Sequence, residues 1–115
     1  MVGVPGETTL AVERTLAALL ELDPDHVSLY FLENVEGLPF EKVLERRPVD
    51  DDAAVDGFTR LGDAFGEAGI RRYEISNFAR PGRECRHNLK YWRYQPFIGL
   101  GPAAASHAGG RRWTN

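Results

Sequence analysis

The chain has 115 residues, of which 43% are hydrophobic and 27% are charged, a balance typical of one small folded domain. Its formal net charge of −3 argues against a nucleic-acid partner, and its single cysteine excludes an internal disulfide. We expect a cytoplasmic protein, because the sequence lacks both a signal-peptide pattern and an apolar run of the roughly 18 residues that span a membrane.

The first half of the chain alternates between strand and helix patterns. A strand end and a glycine turn precede a helix that Thr8 or Thr9 can cap, and its apolar stripe consists of Val12, Leu16, Leu19 and Leu20. Residues 26–32, HVSLYFL, are apolar with almost no polar alternation. That pattern predicts a central parallel strand covered on both faces.

A short helix around residues 40–45 is expected next, followed by a longer helix from the acidic residues 50–52 to a stop at Gly69. The inward face of the longer helix is predicted to consist of Val55, Phe58, Leu61, Phe65 and Ala68. Residues 70–76, IRRYEIS, then form a third predicted strand.

This rhythm predicts an α/β fold with parallel strands and right-handed crossovers. Three such strands leave two sheet edges, and the chain begins within a strand pattern. We therefore expect a piece of a larger α/β sheet or barrel. Its exposed sheet edge is expected to promote self-association.

Two glycine-containing stretches are candidate ligand sites. GVPGETT, residues 3–9, places a glycine turn before a helix N-terminus, where backbone N–H groups and the helix dipole could bind an anion. Its spacing is neither a Walker loop nor a dinucleotide fingerprint, so we favour the alternative of a tight βα turn. FIGLGPAAAS, residues 97–106, has Gly99 and Gly101 at alternate positions. That spacing suits either close backbone approach to a flat ligand or a tightly packed turn, and the two readings stay open.

The stretch ECRHNLKYWRY, residues 84–94, concentrates reactive and aromatic side chains. Cys85 and His87 supply two of the four ligands that structural zinc needs, and neither His26 nor His107 adds a ligand spacing, so no zinc site is predicted. Cys85 also lacks a helix-capping context that would activate its thiol.

His87 precedes Tyr91 and Trp92 in a basic segment, which suits a large planar anion. Imidazole can ligate iron, aromatic faces can stack, and basic side chains can pair with carboxylates. The alternative is a loop histidine satisfied by local hydrogen bonds.

Four motifs together resemble a known family. GVPGETT, HVSLYFLE, RRYEISNFARPGRECRHNLKYW and FIGLGPAAAS are similar in order and separation to the oxygen-independent coproporphyrinogen III oxidase-like branch of the radical S-adenosylmethionine proteins, and within it to the HemW group of haem chaperones. The resemblance runs from Val2 to about Trp113. It implies the last βα units of a partial (β/α)6 barrel over residues 1–78, followed by a post-barrel segment over residues 79–115.

The resemblance also implies cofactors. The family holds a [4Fe–4S] cluster on a Cys-x-x-x-Cys-x-x-Cys loop and binds S-adenosylmethionine, whereas this chain has one cysteine and no such loop. We therefore expect that this chain alone neither assembles the cluster nor cleaves S-adenosylmethionine. Whether its parent protein is an enzyme is left open.

Individual positions carry over from the family. Phe31 and Ala105 match positions of the S-adenosylmethionine pocket, and Ala103 stands where glycine or serine is more usual. The motif His-Asn-x-x-Tyr-Trp is tied to haem, and His87 is the residue expected to ligate iron. Its members here are His87, Asn88, Tyr91 and Trp92.

Three hypotheses follow. The first is a fragment of a haem chaperone that binds haem and delivers it to acceptor proteins, and the His and Trp of the motif favour it. The second is a fragment of an oxygen-independent coproporphyrinogen III oxidase, which decarboxylates porphyrinogen propionates. The third is a standalone ligand-binding module without catalysis.

Overall fold

The computed structural model describes residues 1–35 and 37–115. They form two compact units, Met1–Arg83 and Glu84–Asn115. The first contains α1 (Thr9–Glu21), β1 (His26–Ser28), α2 (Glu41–Arg46), α3 (Asp51–Glu67), β2 (Arg71–Arg72) and β3 (Asn77–Ala79). The second contains α4 (Arg86–Trp92), β4 (Ala105–Ala108) and β5 (Arg111–Thr114). The chain is therefore mixed α/β, as predicted. Across the described ranges, every helix is too short or too polar to cross a membrane.

The sheet of the first unit has the strand order β1-β3-β2, with β3 antiparallel to both neighbours. Phe78 in the central strand faces Val27 of β1 on one side and Arg72 of β2 on the other. A parallel pairing joins Val2 to Phe31 as an isolated bridge. The strands β1 and β2 therefore run in the same direction, but each pairs with the antiparallel β3 between them, so the expected direct parallel pairing is not formed.

A chain reversal explains this difference. Residues 70–76 were predicted to form one strand, but the chain bends after β2 and returns as β3. The Ser76 N–H donates to the Glu74 carboxylate at 2.9 Å, and Arg72 Nε donates to the carbonyl oxygens of Glu74 and Ile75 at 3.0 Å each. These side-chain bonds satisfy the backbone of the bend, so β3 runs back between β1 and β2.

The core of the first unit lies where α1 and α3 pack together and α3 packs on the sheet. Its buried residues are Val2, Val12, Val27, Leu29, Leu61, Phe65, Ile70 and Phe78. The ring of Phe65 meets that of Phe78 edge to face, with centroids 5.7 Å apart. At Gly57 the two helices lie close together, but a Cβ there would be 3.5 Å from Val12 Cγ2, an ordinary contact distance, so a small side chain would also fit.

Both long helices begin and end as expected. The Thr8 hydroxyl accepts the Ala11 N–H at 3.2 Å, and the Asp50 carboxylate accepts the Ala53 N–H at 3.0 Å. Gly69 follows α3 with φ of +80°, the left-handed conformation that ends many helices. These boundaries depend on local hydrogen bonds, which is why the sequence pattern locates them.

Two predictions of burial were wrong. Val55 is 54% exposed, and the neighbouring Ala54 takes the buried position on α3. The strand at β1 buries Val27 and Leu29 but leaves Tyr30 50% exposed. Successive side chains of a strand point to opposite sides. Among the described residues, this strand is therefore buried on one face, not on both as predicted.

The second unit joins α4 to a β-hairpin. Gly109 and Gly110 connect β4 to β5 with φ of +57° and +71°, values that favour glycine and suit a tight two-residue hairpin turn. Phe97 extends the pairing, because its N–H donates to the His107 carbonyl oxygen at 2.7 Å and its carbonyl accepts the His107 N–H at 2.9 Å.

The glycine-rich loop between α4 and β4 is packed against its own chain. A Cβ at Gly99 would overlap the carbonyl oxygen of Ala105, and the Gly99 N–H donates to the buried Ser106 hydroxyl at 3.0 Å. The tightly packed turn is thus the reading that the structure supports at Gly99. Gly101 has φ of +100° and Ala103 has φ of +59°, so Ala103 occupies a conformation in which a Cβ is unfavourable.

The burial of Phe65 generates a stability prediction. Phe65→Ala removes a ring that is 0% exposed, so we expect the free energy of unfolding to fall by about 3–5 kcal/mol. Val55→Ala on the same helix is the matched control and should change it by less than about 0.5 kcal/mol. Urea denaturation followed by circular dichroism measures both. A loss under about 1 kcal/mol for Phe65→Ala would contradict this packing.

Opposite substitutions in the glycine-rich loop should have opposite effects. Gly99→Ala forces a Cβ against backbone, and we expect it to destabilise the second unit by about 2 kcal/mol. Ala103→Gly relieves the left-handed conformation and should stabilise it by about 0.5–1 kcal/mol. Both tryptophans, Trp92 and Trp113, lie in this unit, so tryptophan fluorescence during denaturation reports on it selectively. Effects of the same sign would refute the loop geometry.

Candidate functional site

Helix α4 carries the His-Asn-x-x-Tyr-Trp motif. Cys85 occupies its N-cap position with φ of −67° and ψ of 108°, and its side chain makes no capping hydrogen bond. The expectation that Cys85 has no helix-capping context was therefore wrong, because the pattern of residues 84–94 was not recognised as a helix. The helical spacing brings residues four positions apart together on adjacent turns.

The first such pair is His87 and Tyr91. The Tyr91 hydroxyl lies 2.9 Å from His87 Nε2, and the two rings meet edge to face with centroids 4.9 Å apart. This local hydrogen bond matches the structural alternative for His87, although on a helix instead of a loop. It also means that His87 Nε2 has to lose its contact with the Tyr91 hydroxyl before this nitrogen can ligate a metal.

The second pair is Asn88 and Trp92. Asn88 is half-buried, whereas Trp92 is 50% exposed and Tyr91 is 44% exposed. The motif therefore presents two aromatic side chains with substantial solvent-accessible area. Exposed aromatic rings of this kind are available to stack on a planar ligand.

One of these two rings, that of Tyr91, lines a cleft of about 610 Å³ in the second unit. Its volume falls within the roughly 300–1,000 Å³ usual for small-molecule sites. The wall is mainly aromatic and small, with two basic side chains, and its residues are Tyr91, Tyr94, Phe97, Gly99, Ala104, Ala105, His107, Gly110 and Arg112. The Phe97 ring contacts Tyr91 at a centroid separation of 4.5 Å and lies 6.2 Å from the ring of His107.

Sequence reasoning missed His107 and Arg112 as site residues. They are directly opposite each other across the hairpin, so their side chains share one face. His107 was set aside because its separation from His87 in sequence has no ligand spacing. The available signal was the Gly109-Gly110 pair between two strand-like segments, which predicts a hairpin and this cross-strand pair.

The two positions tied to S-adenosylmethionine lie in different units. Phe31 belongs to the first, is 42% exposed, and stacks on Phe58 with ring centroids 4.9 Å apart. Ala105 opens β4 in the second and lines the cleft. The structure describes each within its own unit.

The GVPGETT stretch forms the tight turn that the sequence suggested. Gly3 and Gly6 have φ of +79° and +80°, and the Gly3 N–H donates to the Glu7 carboxylate at 2.9 Å. A cavity of about 290 Å³ beside it is lined by Glu7, Asp50 and Asp56 as well as Arg60. Three carboxylates against one guanidinium make this wall unsuitable for an anion.

The family is associated with two iron-containing groups, an iron–sulfur cluster and haem. The metal-ligating residues of this chain do not suit the two equally. Within residues 1–35 and 37–115, no three His, Cys, Asp or Glu side chains are grouped to hold a metal ion. With one cysteine in the sequence, the residues present do not fit an iron–sulfur cluster. Haem needs less from the protein, because the porphyrin supplies four nitrogens and the protein adds an axial ligand. Imidazole, aromatic faces and an arginine in one unit fit that requirement.

Comparison with known proteins identifies relatives of the chain. It is 36% identical over 116 residues to Heme chaperone HemW of Mycobacterium tuberculosis (strain ATCC 25618 / H37Rv), covering 98% of this chain and 30% of that protein. It is 39% identical over 106 residues to Heme chaperone HemW of Escherichia coli (strain K12), covering 90% of this chain and 27% of that protein.

A vertebrate protein is similar as well. Radical S-adenosyl methionine domain-containing protein 1, mitochondrial, of Danio rerio is 33% identical over 107 residues, covering 90% of this chain and 24% of that protein. No protein-family model matches the chain, and no solved structure gives a significant match. The chain spans under a third of the length of the curated relatives named here. The resemblance to HemW is therefore confirmed: along nearly its whole length, this chain is related to a segment of the HemW proteins.

Proposed function

We propose that this chain is part of a haem chaperone and that its unit Glu84–Asn115 binds haem for delivery to acceptor proteins. The observation that carries the proposal is the His87–Tyr91 pair, presented beside exposed aromatic rings on a helix of a HemW-related sequence. Haem is the cargo in this proposal and is bound reversibly.

In this proposal His87 is an axial ligand to the iron. Ligation through Nε2 requires the Tyr91 hydroxyl to give up its 2.9 Å hydrogen bond, so binding exchanges one contact for another. Trp92 and Tyr91 supply aromatic faces for the porphyrin, and Lys90 is a cation near the propionates. The half-buried Asn88 supports α4 behind these groups.

The exposure of the site suits transfer of the ligand. Tyr91 and Trp92 are 44% and 50% exposed, so a bound porphyrin keeps surface available to another protein. A competing internal hydrogen bond to His87 lowers the affinity by the free energy of that bond, about 1 kcal/mol. Both features favour release to an acceptor protein over permanent retention.

Contacts with S-adenosylmethionine are proposed separately for Phe31 in the first unit and for Ala105 in the second. Phe31 offers an exposed aromatic ring and Ala105 a small side chain on a cleft wall. An adenine ring can stack on an exposed aromatic ring and can approach a small side chain closely, so each residue is a candidate contact within its own unit. No reaction is assigned to the chain, since its residues do not fit the cluster on which the family's radical chemistry depends.

Haem titration tests the assignment of His87. Ferric haem added to the chain should give a shifted Soret band that saturates at one equivalent. We expect His87→Ala to weaken binding by about tenfold. Tyr91→Phe removes the competing hydroxyl but keeps the ring, and should tighten binding by roughly threefold to fivefold.

His26→Ala is the matched control, because His26 lies in the first unit and contacts Tyr73 at 2.8 Å. It should bind haem as the unmodified chain does. Failure of the unmodified chain to bind haem would refute the proposed function. Equal binding by His87→Ala and His26→Ala would remove His87 from the site.

We also propose that the chain self-associates through a sheet edge. The β2 edge is two residues long and carries exposed Arg71 and Arg72, which oppose pairing. The opposite edge, around Val2 and the 43% exposed Val4, has one carboxylate nearby, that of Glu7 on the Gly3 N–H, and no exposed arginine pair. This edge is the candidate surface.

Sedimentation velocity tests the self-association. We expect a concentration-dependent species larger than the monomer, and Val4→Lys should shift the distribution towards the monomer by placing a charge on the edge. Val55→Lys, on the exposed face of α3, is the control. A monodisperse monomer for the unmodified chain would contradict the proposal.

A further inference from the structure

We propose that His107 ligates the haem iron from within the cleft of the second unit, with Arg112 paired to a propionate and Tyr94 covering the rim. This inference rests on the proposed function, since it assumes that Glu84–Asn115 binds haem, and it adds the residues that form the pocket. It places the ligand in the cleft that is lined both by Tyr91 of α4 and by His107 of β4.

His107 lies on the wall of the cleft, and this position is the first observation in favour of the proposal. His107 lines the 610 Å³ cleft, as do Tyr91 and Phe97, whereas His87 is absent from the cleft wall. The side chain is half-buried, and its ring lies beside Phe97 with centroids 6.2 Å apart. His107 is thus the imidazole placed where a planar ligand meets aromatic walls.

The backbone holds this imidazole in place independently of its ring. The main-chain groups of His107 exchange two hydrogen bonds with Phe97, at 2.7 and 2.9 Å. Neither bond uses the side chain, so the ring remains available to a ligand while its position on β4 is fixed. A ligand held on a strand is positioned more accurately than one on a loop.

Arg112 supplies the charge complement. It lies directly across the hairpin from His107, also lines the cleft, and among the described residues makes no salt bridge. Two basic side chains cannot pair with each other, but both can face one anionic ligand. A guanidinium beside the iron ligand is suited to a carboxylate of the same porphyrin.

The backbone conformation of Tyr94 is an independent observation that favours a ligand site in the cleft. It follows the last turn of α4 with φ of +51°, a position that usually holds glycine. The Gln95 N–H donates to the Lys90 carbonyl at 2.9 Å, which completes the helix-ending motif. A bulky residue in this conformation costs stability, and its side chain is 84% exposed on the cleft rim. An aromatic ring kept there at a cost in stability is explained by contact with a ligand.

The volume of the cleft and the residues that line it also suit a flat ligand. The wall opposite the aromatic rings consists of small residues, including Gly99, Ala104 and Ala105, which leave room for a flat molecule. Arg112, the residue proposed to face a propionate, is on the hairpin, whereas Tyr91 and Tyr94 belong to α4 and to the turn that follows it. This division matches a ligand with an apolar ring system and carboxylates at one edge.

Spectroscopy of single variants tests the role of His107. Ferric haem is titrated into the full 115-residue chain and its His107→Ala, His87→Ala and His26→Ala variants, with the Soret band and low-spin electron paramagnetic resonance signal as readouts. We expect His107→Ala to lose the low-spin signal and to bind at least about tenfold more weakly. Added free imidazole should restore the low-spin signal to His107→Ala. Tryptophan fluorescence of the apo variants verifies that the second unit is folded.

A matched arginine pair tests the propionate contact. Arg112→Ala should weaken ferric haem about threefold to fivefold but leave the affinity for haem dimethyl ester unchanged. Arg111→Ala removes the adjacent arginine, which does not line the cleft, and should bind both ligands as the unmodified chain does. Tyr94→Gly should raise the unfolding temperature of the second unit and weaken haem binding, because it removes backbone strain and the rim together.

The outcomes separate this inference from the proposed function. An unmodified chain without haem affinity overturns both. Haem binding with an unchanged low-spin signal in His107→Ala overturns this inference alone and assigns the iron to another residue. Loss of that signal in both His107→Ala and His87→Ala supports His107 as one of two axial ligands.

Discussion

The backbone pairing of Phe97 with His107 is the contact on which the arrangement of the second unit depends. Two main-chain hydrogen bonds hold the segment after α4 against the hairpin, and they place the Phe97 ring between Tyr91 and His107. The pairing is possible because Gly99 lets the chain pass the Ala105 carbonyl without a Cβ. Without that approach, the helix motif and the hairpin would not share a cleft.

The fold of the first unit depends on a different local feature, the bend between β2 and β3. The bend after β2 uses the Arg72 guanidinium and the Glu74 carboxylate to satisfy backbone groups, so β3 returns antiparallel through the centre of the sheet. Phe78 on this returning strand then packs against Phe65 of α3. This aromatic contact joins the sheet to α3 and forms part of the core of the unit.

The second unit contains two residues with strained backbone conformations. Tyr94 and Ala103 both adopt left-handed backbone conformations that favour glycine, and both flank the cleft or the loop that shapes it. Strain of this kind lowers stability and persists where the surrounding contacts determine the conformation. Exposed aromatic rings, two imidazoles and this backbone strain are the features of the unit on which the proposed reversible binding of a planar ligand rests.

The sequence by itself determined the features that depend on neighbouring residues. Thr8 and Asp50 cap α1 and α3, Gly69 ends α3, and the motifs identify the relatives, because each signal lies within a few residues of its effect. The tertiary structure alone decided the antiparallel direction of β3, the burial of Ala54 instead of Val55, and the placement of His107 opposite Arg112 beside the α4 motif. The reason is that hydrophobic periodicity specifies which face of an element is apolar but not which distant backbone groups it pairs with. Those pairings are selected by packing across the whole unit.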